Sequence, residues 1–278
     1  MKILLLGANG QLGSDIVRAS HSFEIIPWLR CDLDITDNDA LKTKLMQQPF
    51  DVLINCTSYH NTDQAETNAG LAFSINAHAV KEMALLCKEK KARFMHISTD
   101  YVFSHGKTPL TETSSPSPLN VYGASKLMGE TLAQAVYDDV MIFRVASLFG
   151  IAGASGKGGN FVETMIRLGR EKGKLRVIAD QIMSPTATAD IAEMLIKALE
   201  ANIPSGIYHA VNTGYTSWYE FAKQIIAGAQ VNAVVEPISA AEYPSITMRP
   251  SYSALDNSKL ARLIGPIPTW QAALDKYL

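Results

Sequence analysis

The sequence predicts an α/β fold: a doubly wound parallel sheet with a small C-terminal lobe. Three observations predict it. Short apolar runs alternate with amphipathic stretches through the first half of the chain. The first apolar run ends in a glycine-rich turn that opens a helix. The last third loses the alternation and becomes irregular. Strands alternating with helices give a parallel sheet covered on both faces, and such strands read as apolar without a polar side. No internal repeat with a period of about 20–50 residues is visible.

The elements follow in order. "KILLLG" (2–7) is a buried strand, and "QLGSDIVRAS" (11–20) is a helix with Leu12, Ile16 and Val17 on one side. "FEIIPWL" (23–29) is a second strand with a weak point at Pro27. "DNDALKTKLMQQ" (37–48) is a helix capped by Asp37 or Asn38. "DVLINC" (51–56) is a third strand. "GLAFSINAHAVKEMALLCKEK" (70–90) is one long helix whose basic end suits its dipole. "RFMHIS" (93–98) is a fourth strand, followed by a polar loop, then a helix carrying Tyr122 and Lys126, then the strand "VMIFRVA" (140–146).

Beyond it, "GIAGASGKGGN" (150–160) is a glycine-rich mobile loop, and "FVETMIRLGREKGK" (161–174) is helical. "LRVIAD" (175–180) is a short strand, "ADIAEMLIKALE" (189–200) a helix, and "GIYHAVN" (206–212) a strand. "SWYEFAKQIIAGA" (217–229) is a helix with Ser217 as N-cap, and "MRPSYSALDNSKLARLIG" (248–265) holds a turn and a short helix. The division expected is a dinucleotide-binding domain over 1–150, with returning segments near 175–212. A smaller substrate lobe would comprise 151–174 and 213–278, over the carboxyl edge of the sheet, where open α/β sheets bind ligands.

Bulk properties remove several function classes. With 25 basic and 27 acidic residues and a net charge of −2, the chain has no global field for nucleic acid or an anionic membrane. Cys31, Cys56 and Cys87 are widely spaced and form no CxxC, so neither a zinc site nor a disulfide framework is expected. They read as small buried hydrophobes in a reducing compartment. The apolar run at residues 3–6 ends in glycine and asparagine and reads as a strand, not a signal peptide. A cytoplasmic protein is expected.

"GANGQLG" supplies Gly7, Gly10 and Gly13 with Asn9 between them. Glycines at a first strand–helix junction let backbone N–H groups approach a pyrophosphate at the helix N-terminus. This makes the sheet Rossmann-type. After the second strand comes "WLRCDLD", where Arg30 can receive a 2′-phosphate and Asp32 can bind ribose or the adenine amino group. NADPH is the expected cofactor, with NADH also accepted.

Further polar groups fall on the same edge: Ser98, Thr99 and Asp100 after the fourth strand, Tyr122 and Lys126 on the next helix, and Asn76 on the cofactor side. Residues four apart on a helix share a face. The chemistry this suits is carbonyl reduction, in which a developing alkoxide needs a proton. A phenol, with a reference pKa of about 10, is a plausible acid, and a nearby ammonium lowers that value. Lys126 can also reach the cofactor ribose, and the Thr99 hydroxyl can hold the substrate oxygen.

These motifs, with "DVLINCTSYHNTDQAE", "ISTDYVF", "PLNVYGASKLMGE", "DQIMSPT" and "RPSYSALDNSKL", resemble the dTDP-4-dehydrorhamnose reductase family of the extended short-chain dehydrogenase/reductases. They run from residue 1 to about residue 260. The resemblance implies that NAD(P)H reduces the 4-keto group of a dTDP-linked 6-deoxy sugar to give dTDP-L-rhamnose. It implies Tyr122 as proton donor, Lys126 as its partner, and Thr99 and Asp100 at the sugar. It further implies Gly10, Gln11 and Leu12 at the pyrophosphate, Asp32 and Leu33 at the adenine, and Thr57, Ser58 and Tyr59 along the cofactor.

Two departures from the family pattern stand out. "NCTSYH" replaces small alanines by Cys56, Thr57 and Ser58, and "RVASLFG" puts Leu148 where members carry a tryptophan that packs on the sugar. Losing that ring removes a flat apolar platform. A reductase of a different nucleotide keto sugar therefore stays open, as does a non-catalytic NADP-binding subunit of the same fold. Some members bind magnesium through carboxylates at a dimer contact; no equivalent cluster is found, so no required metal is expected. A homodimer is left open. Arg249 suits a pyrophosphate or a structural bond. His60, His78, His96, His105 and His209 lack ligand spacing and read as structural or surface residues. "ASGKGGN" lacks the G-K-[ST] ending of a P-loop and reads as a flap near the sugar.

Overall fold

The computed structural model describes residues 1–152, 159–243 and 245–278. The core of the expected flap, residues 153–158, lies outside them. In chain order the first half comprises β1 (Lys2–Leu6), α1 (Gln11–Ala19), β2 (Glu24–Trp28), α2 (Asn38–Gln47), β3 (Val52–Asn55), α3 (Thr62–Thr67), α4 (Ala69–Phe73), α5 (Ala79–Lys90), β4 (Arg93–Thr99), α6 (Val121–Val136) and β5 (Val140–Val145). The second half comprises β6 (Leu148–Phe149), α7 (Phe161–Lys172), β7 (Lys174–Ile178), β8 (Ile182–Met183), β9 (Thr186–Ala187), α8 (Thr188–Glu200), β10 (Gly206–His209), β11 (Thr216–Ser217), α9 (Trp218–Gly228), β12 (Val234–Ile238), α10 (Ser258–Ile264) and α11 (Trp270–Tyr277).

Six parallel strands form the main sheet in the order β2-β1-β3-β4-β5-β10. The chain leaves β1 toward β2 and returns on the other side at β3, so the direction of winding reverses between them. A ligand crevice opens at such a reversal, beyond the carboxyl ends of the strands. Successive residues of β1 point to opposite faces. Ile3 and Leu5 join a core with α1, α8 and α10, and Leu4 and Leu6 join another with α2 and α5. Pro27 sits in β2, the edge strand, where the lost N–H donor is tolerated.

The helix expected over 70–90 is broken. A π-helical turn, Ser74–His78, separates α4 from α5 and carries Asn76 into the interior with no exposure. Single π turns inside α-helices accommodate an extra residue and occur at functional sites. α6 packs tightly on this turn, since a Cβ on Gly129 would come within 2.1 Å of the Asn76 carbonyl oxygen. Asp37, not Asn38, caps α2, accepting from the Ala40 N–H at 3.0 Å. Ser217 caps α9 as expected.

The lobe has its own apolar centre, built from Phe149, Val162, Phe221, Trp270 and neighbours. Here one expectation changes. β7 pairs with β12 and not with the main sheet, so the chain returns to the sheet only with α8, packed on α1, and β10, paired with β5. The two-residue strands β6, β8, β9 and β11, and the helices α3 and α11, were not legible from periodicity, which needs longer windows.

Candidate active site

β4 delivers Thr99 and Asp100 to the carboxyl edge, and both are buried. Thr99 Oγ1 accepts from the Tyr101 N–H at 3.2 Å and donates to Asp100 Oδ1 at 3.2 Å. The other Asp100 oxygen accepts from Ser253 Oγ at 2.6 Å. Burial pushes the Asp100 carboxyl up to about 6, while the Ser253 and Thr99 hydroxyls pull it back.

α6 begins next to this group. Asn120 caps it, accepting from the Gly123 N–H at 2.8 Å, while its amide nitrogen donates to the Met248 carbonyl at 2.9 Å. One cap therefore ties the lobe to the helix carrying Tyr122. Tyr122 is half-buried and meets Tyr101 edge-on, with ring centroids 5.8 Å apart. Burial pushes its phenol up to about 12; the Thr99 and Ser58 hydroxyls oppose this and the Asp100 carboxylate adds to it. The phenol is thus fully protonated at neutral pH.

Lys126 lies one turn further along, only 1% exposed. Its Nζ donates to the Ile97 carbonyl at 2.6 Å and lies 3.1 Å from His96 Nε2. Burial lowers it to about 8, against the raising effect of Glu130 and Cys56. The expected lowering of the tyrosine pKa by this ammonium is therefore not what the structure shows. The ε-nitrogen is engaged by β4 rather than by the phenol. Beneath it, Glu130 and Arg144 form a buried ion pair at 2.6 Å, and Ser98 Oγ also donates to Glu130.

The glycine loop fits a dinucleotide. Gly7 has φ +77, and a Cβ on Gly13 would lie 2.2 Å from the Gly7 carbonyl oxygen, so the turn closes only without side chains. Gly10 precedes α1 without a side-chain cap, which leaves the first N–H groups of the helix for an anion. The residues after β3 press on the same turn: a Cβ on Gly7 would meet Cys56 and Thr57 backbone at 3.2 and 3.3 Å. Asn9 is exposed beside them. Arg30 stands out into solvent, 86% exposed, 3.5 Å from Asp34. One Asp32 oxygen accepts from the Leu29 N–H at 2.8 Å.

Several expected cofactor contacts are placed otherwise. Asn76 spends all four of its hydrogen bonds inside the protein. Its oxygen accepts from Ser58 Oγ and the Tyr59 N–H, and its nitrogen donates to the Tyr59 carbonyl and Ser125 Oγ. It holds the Ser58–Tyr59 loop against α6. Leu12 and Leu33 bury their side chains in the two cores. Burial raises the Cys56 thiol to about 12, against the Lys126 charge, and keeps it inert.

A cavity of about 450 Å³ lies in the lobe, lined by Phe161, Met165, Arg176, Val177, Trp218 and Arg249 among others. A narrow recess shares Gln181, Trp218 and Arg249 with it and reaches Asp100, Ser147 and Ser253. Arg249 Nε is buried without a partner. Leu148 is not in either wall; it pairs within β6 and β9 and packs on the core, and left-handed Ser147 (φ 45) faces the recess instead. The aromatic surface here is Trp218, whose ring lies 4.6 Å from that of Phe161.

The family described as "RmlD substrate binding domain" matches residues 1–278. The chain belongs to this family, that of the dTDP-4-dehydrorhamnose reductases. A "dTDP-4-dehydrorhamnose reductase" of Burkholderia thailandensis is 34% identical over 99% of this chain and 97% of the relative. The "Spore coat polysaccharide biosynthesis protein SpsK" of Bacillus subtilis is 35% identical over 100% of this chain and 96% of the relative. The crystal structure of a dTDP-4-dehydrorhamnose reductase from Bacillus anthracis in complex with NADP superposes with a TM-score of 0.93 at 36% identity, covering 99% of this chain and 98% of that one.

Of the residues gathered here, the sequence pointed to Thr99, Asp100, Tyr122, Lys126 and Arg249 but not to Gln181, Trp218, Ser253 or the Glu130–Arg144 pair. The ion pair left a signal, a lone arginine inside the apolar strand "VMIFRVA". Among the described residues no cluster of three His, Cys, Asp or Glu side chains could hold a metal, and no helix is long and apolar enough to cross a membrane.

Proposed function

We propose that the chain is an NADPH-dependent reductase of the 4-keto group of a dTDP-linked 6-deoxy sugar, forming dTDP-L-rhamnose. The observation that carries this reading is the meeting of the Thr99 and Tyr122 hydroxyls with Asp100 and Ser253, where the recess of the nucleotide-sized cavity ends. When bound, reduced nicotinamide supplies hydride to the carbonyl carbon. The chain's residues do the rest. The Thr99 hydroxyl and the Tyr122 phenol hold the carbonyl oxygen, and Tyr122 gives its proton to the alkoxide as the C–H bond forms. An alkoxide is a much stronger base than a phenolate, so transfer stays downhill even from a phenol at about 12.

The uncapped start of α1 and the backbone of Gly10, Gln11 and Leu12 would take the pyrophosphate, Arg30 the 2′-phosphate, and Asp32 the adenosine. The larger cavity, with Arg176 and Arg249, would take the diphosphate nucleotide. Residues 1–150, with the returning segment 188–212, would form the cofactor domain, and 151–187 with 213–278 the substrate lobe. The enzyme would act in the cytoplasm, alone or as a homodimer.

The test is incubation with the dTDP-4-keto sugar and NADPH, following cofactor oxidation and identifying the sugar by NMR. Tyr122→Phe should cost about 10²–10⁴-fold in turnover while leaving NADPH affinity within a few-fold. Undiminished turnover in that variant would sink the proton-donor role. Faster turnover of another keto sugar would reassign the substrate.

A further inference from the structure

Asn55, His96 and Lys126 form a buried chain that proton donation by Tyr122 does not itself use. Asn55 ends β3, His96 is its register partner in β4, and Lys126 reaches across from α6. The positions of the hydrogens follow from the partners. The Thr57 backbone N–H can only donate, and it lies 3.0 Å from Asn55 Oδ1, which also accepts from Thr57 Oγ1 at 2.5 Å. The amide oxygen is thereby pinned toward Thr57, and Asn55 Nδ2 faces His96 Nδ1 at 3.2 Å. An amide nitrogen only donates, so Nδ1 accepts and carries no hydrogen. The proton of the neutral imidazole then sits on Nε2, which points at Lys126 Nζ from 3.1 Å. An ammonium has no lone pair to receive it. A neutral amine does, and it still has a hydrogen for the Ile97 carbonyl at 2.6 Å.

We propose that Asn55 and His96 act as positioning residues that favour the neutral amine of Lys126 over the ammonium in the cofactor-free protein. The surroundings agree. The titratable groups acting on Lys126 are Glu130 from α6, Cys56 just after β3 and His96 from β4. Glu130 is the one carboxylate among them, and it is already held by Arg144 and Ser98. Cys56 remains a thiol, with burial raising it to about 12. Burial alone drives His96 well below its ordinary value, so it does not charge in its place. Burial also brings Lys126 down to about 8, so the neutral amine is reached at mildly alkaline pH instead of near 10.5. The catalytic consequence rests on the reductase reading: Lys126 becomes a cation beside Tyr122 only after it gains a proton or leaves His96.

The test uses the full chain without cofactor, so its outcome is independent of sugar or turnover. Long-range ¹H–¹⁵N correlation on histidine-labelled protein reads the His96 tautomer, with the ring assigned through its bonds to the sequentially assigned His96 backbone. The expected form has hydrogen on Nε2 only. Lysine labelled with ¹³C at Cε reports the Lys126 titration. Asn55→Ala frees the tautomer, and His96→Gln puts an acceptor oxygen within reach of Nζ. Each should move the Lys126 midpoint up by about one pH unit or more, tenfold in proton affinity. Hydrogen on Nδ1 in the wild-type protein overturns the proposal, even if neither variant folds. So does a Lys126 midpoint that stays where it was in both variants.

Discussion

The two walls of the site use their polar groups differently. On the sheet wall, Thr99, Asp100, Lys126 and Glu130 are buried and bonded to one another's neighbours within the fold. On the lobe wall, Arg249 keeps a buried Nε without a partner, and Arg176 shares a half-exposed ion pair with Glu242. A group whose bonds are closed inside the protein sets conformation and proton state. A group left open is available to a ligand. The sheet wall therefore fixes the chemistry, and the lobe wall decides what is brought to it.

If that contrast is right, the largest stability effect should come from the sheet wall. Arg144→Met leaves Glu130 buried beside Ser98 without its cation. Breaking a buried pair from one side costs about 3–5 kcal/mol, because the remaining charge is uncompensated. Urea unfolding should show that loss, and adding Glu130→Gln should restore much of it. A loss under about 1 kcal/mol would mean that the sheet wall is not held together in this way.

Asp100 sits on the seam between the walls and tests it by pH. Its folded value of about 6 lies above the ordinary 3.8. The folded protein therefore binds this proton more tightly than the unfolded chain does. The sign follows: stability from this group is fully present below pH 3.8 and is lost as pH rises through 6. At pH 7 the wild-type protein should be destabilised by at most about 3 kcal/mol relative to Asp100→Asn, and the gap should close toward pH 4. Parallel stability–pH curves for the two proteins would show that Asp100 is not a strained carboxylate.

The same contrast explains what could be read from the sequence. The sheet wall was legible because each part is local. "GANGQLG" is one turn, and "YGASK" places Tyr122 and Lys126 on one helical face within five residues. What was misread there depends on a third element: Lys126 turns to His96 because β4 runs beneath it, and Asn76 closes on Ser58 and Tyr59 because a π turn rotates it inward. The lobe wall draws on residues 161–178, 181, 218 and 240–249, brought together only by the folding of several short elements. No spacing rule links Trp218 to Arg176. Leu148 shows the converse: its motif position pointed at the sugar, but pairing of β6 with β9 turned it to the core.

The smallest effect should come from the open wall, and it should appear in binding alone. Arg249 lines both the cavity and the recess, and its buried Nε has no partner. A hydrogen bond from a charged donor contributes about 1.5–3 kcal/mol, so Arg249→Ala should raise KM for the nucleotide sugar about 10- to 100-fold. NADPH affinity should stay within twofold, because neither the cavity nor the recess that Arg249 lines includes the glycine loop or Arg30. Lysine at this position should recover only part of the loss, since it lacks the planar fork. Arg249 also hydrogen-bonds Tyr101, whose ring meets Tyr122. A fall in kcat with an unchanged KM would mean that Arg249 works through those two tyrosines, making it part of the sheet wall rather than the lobe wall.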